Sequence, residues 1–200
     1  MNIVFVISEH YPFGMAGTMR IKLFSEFLIK KTDDVKVLIN NQDNGVNTRV
    51  GKHNNVIYST MLSNKFPRFI FYLIYPFLAF YQLISSRKNN NKNIMIIYGG
   101  VNLFNLQFMI IGRLIGYKII LDIVEDGILS NENLSANESM SIVTRFHLCV
   151  SEIILPHIGW LIDGLVVIST TLMKKYKLLF QKIVVIHLTH IFKIQILNNF

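Results

Sequence analysis

The chain opens Met1-Asn-Ile-Val-Phe-Val-Ile-Ser8, continues Glu9-His-Tyr-Pro-Phe-Gly14-Met-Ala-Gly17, and passes into Thr18-Met-Arg-Ile-Lys-Leu-Phe-Ser-Glu-Phe-Leu-Ile-Lys30. A β-branched apolar run ends in polar residues, a glycine-bearing turn follows, and the next segment carries apolar residues at helical spacing. That order reads as strand, loop, helix. In an open parallel sheet such a junction lies outside the carboxyl end of a strand, where glycines let backbone N–H groups and a helix N-terminus approach a ligand. Gly14 and Gly17 are therefore candidate substrate-binding residues. Arg20, read as lying in the first helical turn, opposes the helix dipole there, and an anionic ligand would give it a reason; a solvated surface arginine is the other reading. His10 is either a proton carrier or hydroxyl contact, or an incidental loop histidine.

Downstream the same alternation repeats. After Asp33-Asp34, Val35-Lys-Val-Leu-Ile39 reads as a second strand, followed by a polar loop from Asn40 to about Asn55 and a short strand Val56-Ile-Tyr-Ser59. Ile94-Met-Ile-Ile-Tyr98 ends at Gly99-Gly100, a second strand-to-glycine junction. Asn102 to Ile115 is helical in pattern and stops at Gly116, a C-terminal cap. Tyr117-Lys-Ile-Ile-Leu121 is the next strand, and it ends in Asp122-Ile-Val-Glu125-Asp126. Residues Ile142 to Leu161 read as a helix bent at Pro156. Leu165-Val-Val-Ile168 is a strand, Ser169-Thr-Thr caps a basic helix, and Lys182-Ile-Val-Val-Ile186 is a last strand. The fold class expected is α/β, a Rossmann-like domain with a mainly parallel sheet flanked by helices. One domain spans 1–186, and 187–200 is an atypical tail.

Hydrophobic residues make up 52% of the 200 and charged residues 16%, which is more apolar than an ordinary soluble domain. The net charge of +8 suits an anionic partner such as phosphate groups, acidic lipid or nucleic acid. Phe66 to Ile84 is the most apolar segment. Its uncharged part falls short of the roughly 18 to 20 residues that span a bilayer, and Pro76 interrupts it. It reads as a kinked helix partly buried on the sheet, in competition with an interfacial helix flanked by Arg68 and Arg87-Lys88. With one cysteine, Cys149, neither a disulfide framework nor a thiolate metal site can be built. No basic n-region or cleavage site marks the start, so the chain reads as cytoplasmic.

Three strand ends are expected on one edge: the loop with Gly14 and Gly17, the Gly99-Gly100 turn, and the carboxylates Asp122, Glu125 and Asp126. Backbone donors for an anion beside a carboxylate for a hydroxyl group suit group transfer. Each of the carboxylates also has a plain structural reading, as a strand-end cap or a solvated loop residue. The glycine spacing fits neither the dinucleotide motif nor a phosphate-binding loop ending in Gly-Lys-Ser/Thr, so no nicotinamide cofactor is expected. The histidines lack metal-ligand spacing, so no metal is expected. No Gly-x-Ser-x-Gly elbow is present. Scattered cations with aromatics in apolar runs argue against a nucleic-acid partner.

Taken together these segments resemble the N-terminal half of GT-B glycosyltransferases, in particular the retaining family-four group that builds bacterial surface polysaccharides and glycolipids. The resemblance rests on Met1 to Ser8 running into Tyr11-Pro-Phe-Gly14-Met-Ala-Gly17, on Val35 to Ile39, and on Ile94 to Gly100. Ile120-Leu-Asp-Ile-Val-Glu-Asp126 and Asp163-Gly-Leu-Val-Val-Ile-Ser-Thr-Thr-Leu-Met-Lys-Lys-Tyr176 complete it.

The resemblance implies an acceptor-binding domain whose glycine loop lies beside the nucleotide-sugar phosphates, with Asp122 to Asp126 facing the acceptor or reacting sugar. It implies a nucleotide-sugar donor as co-substrate, no other cofactor, and a glycan or lipid-linked acceptor. Action at the inner face of the membrane would give the basic charge and Phe66 to Ile84 a common use. Two departures stand out. Relatives often carry two adjacent glycines where this chain has Met15-Ala16 between Gly14 and Gly17. The family's donor-contacting glutamates, separated by seven residues, have no counterpart, since Glu125 and Glu132 are one residue too close. The chain thus reads as an enzyme truncated before its donor-binding domain, inactive alone, its donor half lost or carried by a separate chain. A non-catalytic anion- or glycan-binding module at the membrane surface is the alternative.

Overall fold

The structure, a computed structural model, describes residues 1–32, 34–40, 50–61, 68–89, 91–124, 153–180 and 183–187. The fold is α/β and Rossmann-like, with eight strands among the described residues in mainly parallel pairing and helices connecting them. They fall into two compact units, the first Met1–Tyr98 with Gln107–Ile119, the second Gly99–Leu106 with Ile120–Phe200.

In the first unit β1 (Asn2–Ile7), β2 (Asp34–Ile39), β3 (Val50–His53), β4 (Val56–Thr60) and β5 (Asn93–Tyr98) lie in the order β3-β4-β2-β1-β5. Every pairing there is parallel except β3 with β4. All six residues of β1 are buried, which is why its sequence is a continuous apolar run rather than an alternating one. β1 is central: Phe5 pairs with Val37 on one side and with Ile96 on the other.

The expected polar loop from Asn40 to Asn55 contains β3. Asn54 and Asn55 sit at φ 45° and 68°, making a two-residue hairpin turn that asparagine tolerates better than most side chains. Asn54 Nδ2 donates to Glu26 Oε1 at 2.7 Å, which ties this hairpin to helix α1 (Ala16–Ile29). The buried face of α1 is Thr18, Ile21 and Ser25, while Met19, Leu23 and Phe27 are exposed.

Helix α2 (Arg68–Ser86) contains Pro76 and buries Tyr75, Ala79 and Leu83, one turn apart from each other. Tyr75 packs edge-on against Phe108 of α3 (Leu103–Leu114), with ring centroids 5.9 Å apart. At the amino ends of β1 and β5, Asn2 Nδ2 donates to Asn93 Oδ1 and to the Ser86 carbonyl, both at 2.7 Å. Among the described residues no helix is long and apolar enough to cross a membrane.

The second unit carries most of β6 (Lys118–Ile123), then β7 (Gly164–Val167) and β8 (Val184–His187), in parallel register in that order. Before β7 lies a 3-10 helix, Leu155–Trp160, with Pro156 in its first turn, where the sequence suggests a bend. Helix α4 (Thr170–Leu179) is capped by Ser169, whose Oγ accepts from the Leu172 N–H at 3.1 Å, as expected from the Ser-Thr-Thr motif. The expected tail beyond 187 lies outside the described residues.

Candidate functional site

The strand order gives the first unit a topological switch point. From β1 the chain crosses through α1 to β2 on one side, and it later returns to place β5 on the other side. The carboxyl ends of β1 and β5, side by side at that point, are where open parallel sheets usually bind ligands.

Residues from three elements meet there. Just past β1 stand Glu9, half-buried, and His10, exposed; α1 begins at Ala16; Tyr98 closes β5. The buried Thr18 hydroxyl donates to the His10 carbonyl at 2.6 Å and also lies 3.2 Å from Glu9 Oε2. A Cβ on Gly17 would fall onto the Glu9 carboxylate and the Tyr98 hydroxyl, so these two polar groups converge on the bare Cα of Gly17. A Cβ on Gly14 would stand 2.6 Å from the His10 carbonyl oxygen and also meet the Thr18 hydroxyl. The glycines serve here to let side chains approach the loop closely.

Tyr11 anchors the loop from beneath. It is fully buried, its hydroxyl lies 3.3 Å from Ser25 Oγ, and its ring meets Tyr58 edge-on at 5.5 Å. Burial pushes its phenol pKa above the ordinary value, so it stays neutral. The Tyr11–Pro12 peptide bond is cis. Phe13 and Met15 are exposed, and the Phe13 ring lies 5.9 Å from that of His53 in β3.

The electrostatics differ from a phosphate cradle. Helix α1 has no side-chain hydrogen bond from its N-cap Met15 and no acid in its first turn. The Glu9 carboxylate, against Gly17 and Thr18, brings its own negative charge to that helix end. An external phosphate placed beside Glu9 would be repelled, whereas a carboxylate and a phenol together suit hydroxyl groups.

The sequence-predicted residues divide accordingly. Gly14, Gly17 and the His10 backbone belong to this loop. Arg20 lies in the second turn of α1 rather than the first, with its guanidinium 5.5 Å from the centroid of the Phe24 ring. Gly99, Gly100 and Asp122 belong to the second unit. There the Gly99 N–H donates to the Asp122 carbonyl at 3.0 Å, and the Gly100 carbonyl accepts from Asn105 Nδ2 at 2.8 Å. Gly99 has φ +89°, a conformation that side chains other than glycine rarely adopt. Asp122 is only 1% exposed. Glu125 and Asp126 lie outside the described residues.

Glu9, Thr18 and Tyr98 were not singled out by sequence reasoning. Their one signal was position, since Glu9 follows the first strand and Tyr98 ends the strand before Gly99-Gly100. The second unit also has an open apolar groove of about 440 Å³, lined by Pro156, Trp160, Leu178, Phe180 and Ile183 among others. It holds no group that could transfer a proton. Among the described residues no three His, Cys, Asp or Glu side chains are grouped as a metal site.

No protein-family model matches the sequence, and no curated protein matches it. Among solved structures, a sucrose-phosphate synthase from Thermosynechococcus elongatus is similar, with 12% identity and a TM-score of 0.47. The alignment covers 92% of this chain and 85% of that one.

Proposed function

We propose that the chain is the acceptor-side domain of a glycosyltransferase, which moves a sugar from a nucleotide-sugar donor to a glycan or lipid-linked acceptor in surface polysaccharide synthesis. It works with a donor-binding domain, in the same polypeptide or a separate one. The observation that carries this reading is the convergence of Glu9 and Tyr98 on Gly17 at the carboxyl ends of β1 and β5. The order of motifs along the chain supports it.

In such a transfer the acceptor oxygen bonds to the anomeric carbon as the bond to the nucleoside diphosphate breaks, and the hydroxyl proton must leave. Glu9 is the proposed hydrogen-bond acceptor for that hydroxyl, with Tyr98 beside it as donor or acceptor. Glu125 and Asp126 remain proposed carboxylates of the reaction, and buried Asp122 supports the β6 end from which they follow.

The test is a titration of isotope-labelled protein with glycan acceptors and with pyrophosphate, followed by amide chemical shifts. Glycans are expected to shift the resonances of Glu9 to Thr18 and Tyr98, and Glu9→Gln is expected to weaken that binding while strengthening pyrophosphate binding. Glycan-induced shifts that avoid this loop, or a Glu9→Gln protein indistinguishable from the parent, would overturn the assignment. The same cluster of Glu9, Thr18 and Tyr98 also suits a non-catalytic glycan-binding module. Sugar transfer on addition of a donor-binding domain separates the two.

A further inference from the structure

Lys36 of β2 occupies a place that an ammonium group does not favour. It is half-buried, and its sheet neighbours, Val4 of β1 and Ile57 of β4, carry no charge. Its Nζ donates to the hydroxyl oxygen of Ser86, in the last turn of α2, at 2.9 Å. Asp34, two residues earlier on the same face of the strand, is paired with Lys88 at 2.6 Å. Lys52, which pairs with Ile57 from the far side of β4, adds a like charge on that face about 10 Å away. Arg87 and Tyr117 lie at the same end of α2, with Tyr117 in electrostatic reach of both Arg87 and Asp34. Among the described residues the direct partner of Lys36 is thus a neutral hydroxyl, and the nearby carboxylate is engaged by another lysine. Burial holds the Lys36 pKa below its ordinary 10.5, and Asp34 acts in the opposite direction.

The hydrogen bonds around Ser86 orient the amine. The Ser86 hydroxyl donates its one proton to the Gln82 carbonyl, 2.6 Å away, and the Ser86 carbonyl accepts from Asn2 Nδ2 at 2.7 Å. Toward Lys36 its Oγ therefore acts only as an acceptor. A neutral amine that gives one N–H to this oxygen keeps its lone pair, which Ser86 does not use, for an electrophile. A carboxylate in the place of the hydroxyl would hold the protonated, unreactive form instead.

We infer that Lys36 is a lysine acylation site whose reagent is a small acyl phosphate. The amine nitrogen attacks the acyl carbon and forms the C–N bond. The bond from that carbon to the phosphate oxygen breaks, phosphate departs with the electron pair, and the nitrogen releases one proton to water. Arg87 and Lys88, exposed and next to Ser86 in the chain, favour the approach of the anionic reagent. The amide product keeps one N–H for the Ser86 hydroxyl and loses the charge that burial disfavours. The fold is expected to tolerate the change for that reason.

The experiment treats the folded full chain with acetyl phosphate near pH 8. The remaining amines are then blocked with deuterated acetic anhydride after denaturation, and each lysine is read by peptide mass spectrometry. Lys36 is expected to acetylate at least about three-fold faster than the exposed Lys30 and Lys92, because more of it is neutral at that pH. The advantage should shrink as pH rises toward 10.5, where lysines in general give up their protons. In guanidinium chloride the preference should vanish, since it comes from the fold. Ser86→Ala removes the accepting oxygen and should bring Lys36 down to the rate of the exposed lysines, and Lys36→Arg should abolish the fast-labelled peptide. Equal rates at Lys36, Lys30 and Lys92 in the folded chain would overturn the inference. So would a preference that persists in guanidinium chloride, or one indifferent to Ser86→Ala in a chain that melts like the parent by circular dichroism. Because the readout is amine reactivity, the result stands or falls separately from glycosyl transfer.

Discussion

The Thr18 side chain closes the loop between β1 and α1 by donating its hydroxyl proton to the His10 carbonyl oxygen, 2.6 Å away. This single bond spans the turn that holds Gly14 and brings Glu9 to the start of α1. Thr18 is buried, so removing its hydroxyl leaves the carbonyl without that donor and with little water to replace it. Thr18→Val is expected to destabilise the protein by about 1–2 kcal/mol in urea denaturation, and Thr18→Ser by less than half of that. A Thr18→Val protein as stable as the parent would remove the hydroxyl bond as the source of stability.

Gly17→Ala puts a methyl group where the Glu9 carboxylate and Tyr98 hydroxyl lie. The expected cost is about 1–3 kcal/mol, typical of overpacking at a close contact. If that contact is the cause, Gly17→Ala in a Glu9→Ala background should cost less than in the parent. The coupling is read from a double-mutant cycle of denaturation free energies, and strict additivity would discard the contact as its source.

The buried asparagine pair at the opposite ends of these strands is expected to matter as much as an apolar core residue. Asn93 Oδ1 accepts from Asn2 Nδ2 at 2.7 Å and from the Lys88 N–H at 3.0 Å, and its Nδ2 donates to the carbonyls of Lys88 and Asn91. Asn93→Ala leaves several groups of a buried network unpaired, at an expected cost of about 2–3 kcal/mol by urea denaturation. A loss below about 0.5 kcal/mol, the level of a surface substitution, would show that water or neighbouring groups replace the amide.

Tyr117 makes stability depend on alkaline pH. It is 1% exposed, its hydroxyl donates to the Leu83 carbonyl at 3.0 Å, and burial pushes its pKa up to about 12 from 10.0. Between those values the folded state retains a proton that the unfolded state has released, so stability falls as pH rises through that window. The full loss from this group is about 3 kcal/mol, reached above the folded pKa. Tyr117→Phe should therefore be less stable at neutral pH, having lost a hydrogen bond, but show a shallower decline above pH 10 in urea denaturation. An unchanged slope would remove Tyr117 as its source. Lys36, whose pKa burial lowers, acts in the opposite sense at pH values below its ordinary 10.5.

Much of the architecture was legible from local rules. The run Asn2–Ile7 is apolar at every position but the first, as a strand covered on both faces must be, and Ser169 and Gly116 mark helix ends through capping chemistry. The hairpin strand β3 was not legible, because Val50-Gly-Lys-His53 has no apolar alternation and pairs only at the sheet edge through its asparagine turn. Apolar periodicity also misjudged burial in α1. There Thr18 and Ser25 are buried while Met19, Leu23 and Phe27 are exposed, since the two hydroxyls meet His10 and Tyr11 of the loop after β1.

The sequence by itself determined that this is an α/β chain with a glycine loop after its first strand, because strand and helix periods and turn chemistry act over a few residues. Which groups meet at that loop was decided by tertiary structure. Glu9 and Tyr98 are separated by most of the first unit, and they face Gly17 only because β5 pairs with β1 on the side away from β2. Strand order is a long-range outcome of packing both faces of β1, and no local spacing encodes it. That is why the sequence pointed to a phosphate at the start of α1, and the folded chain put its own carboxylate there.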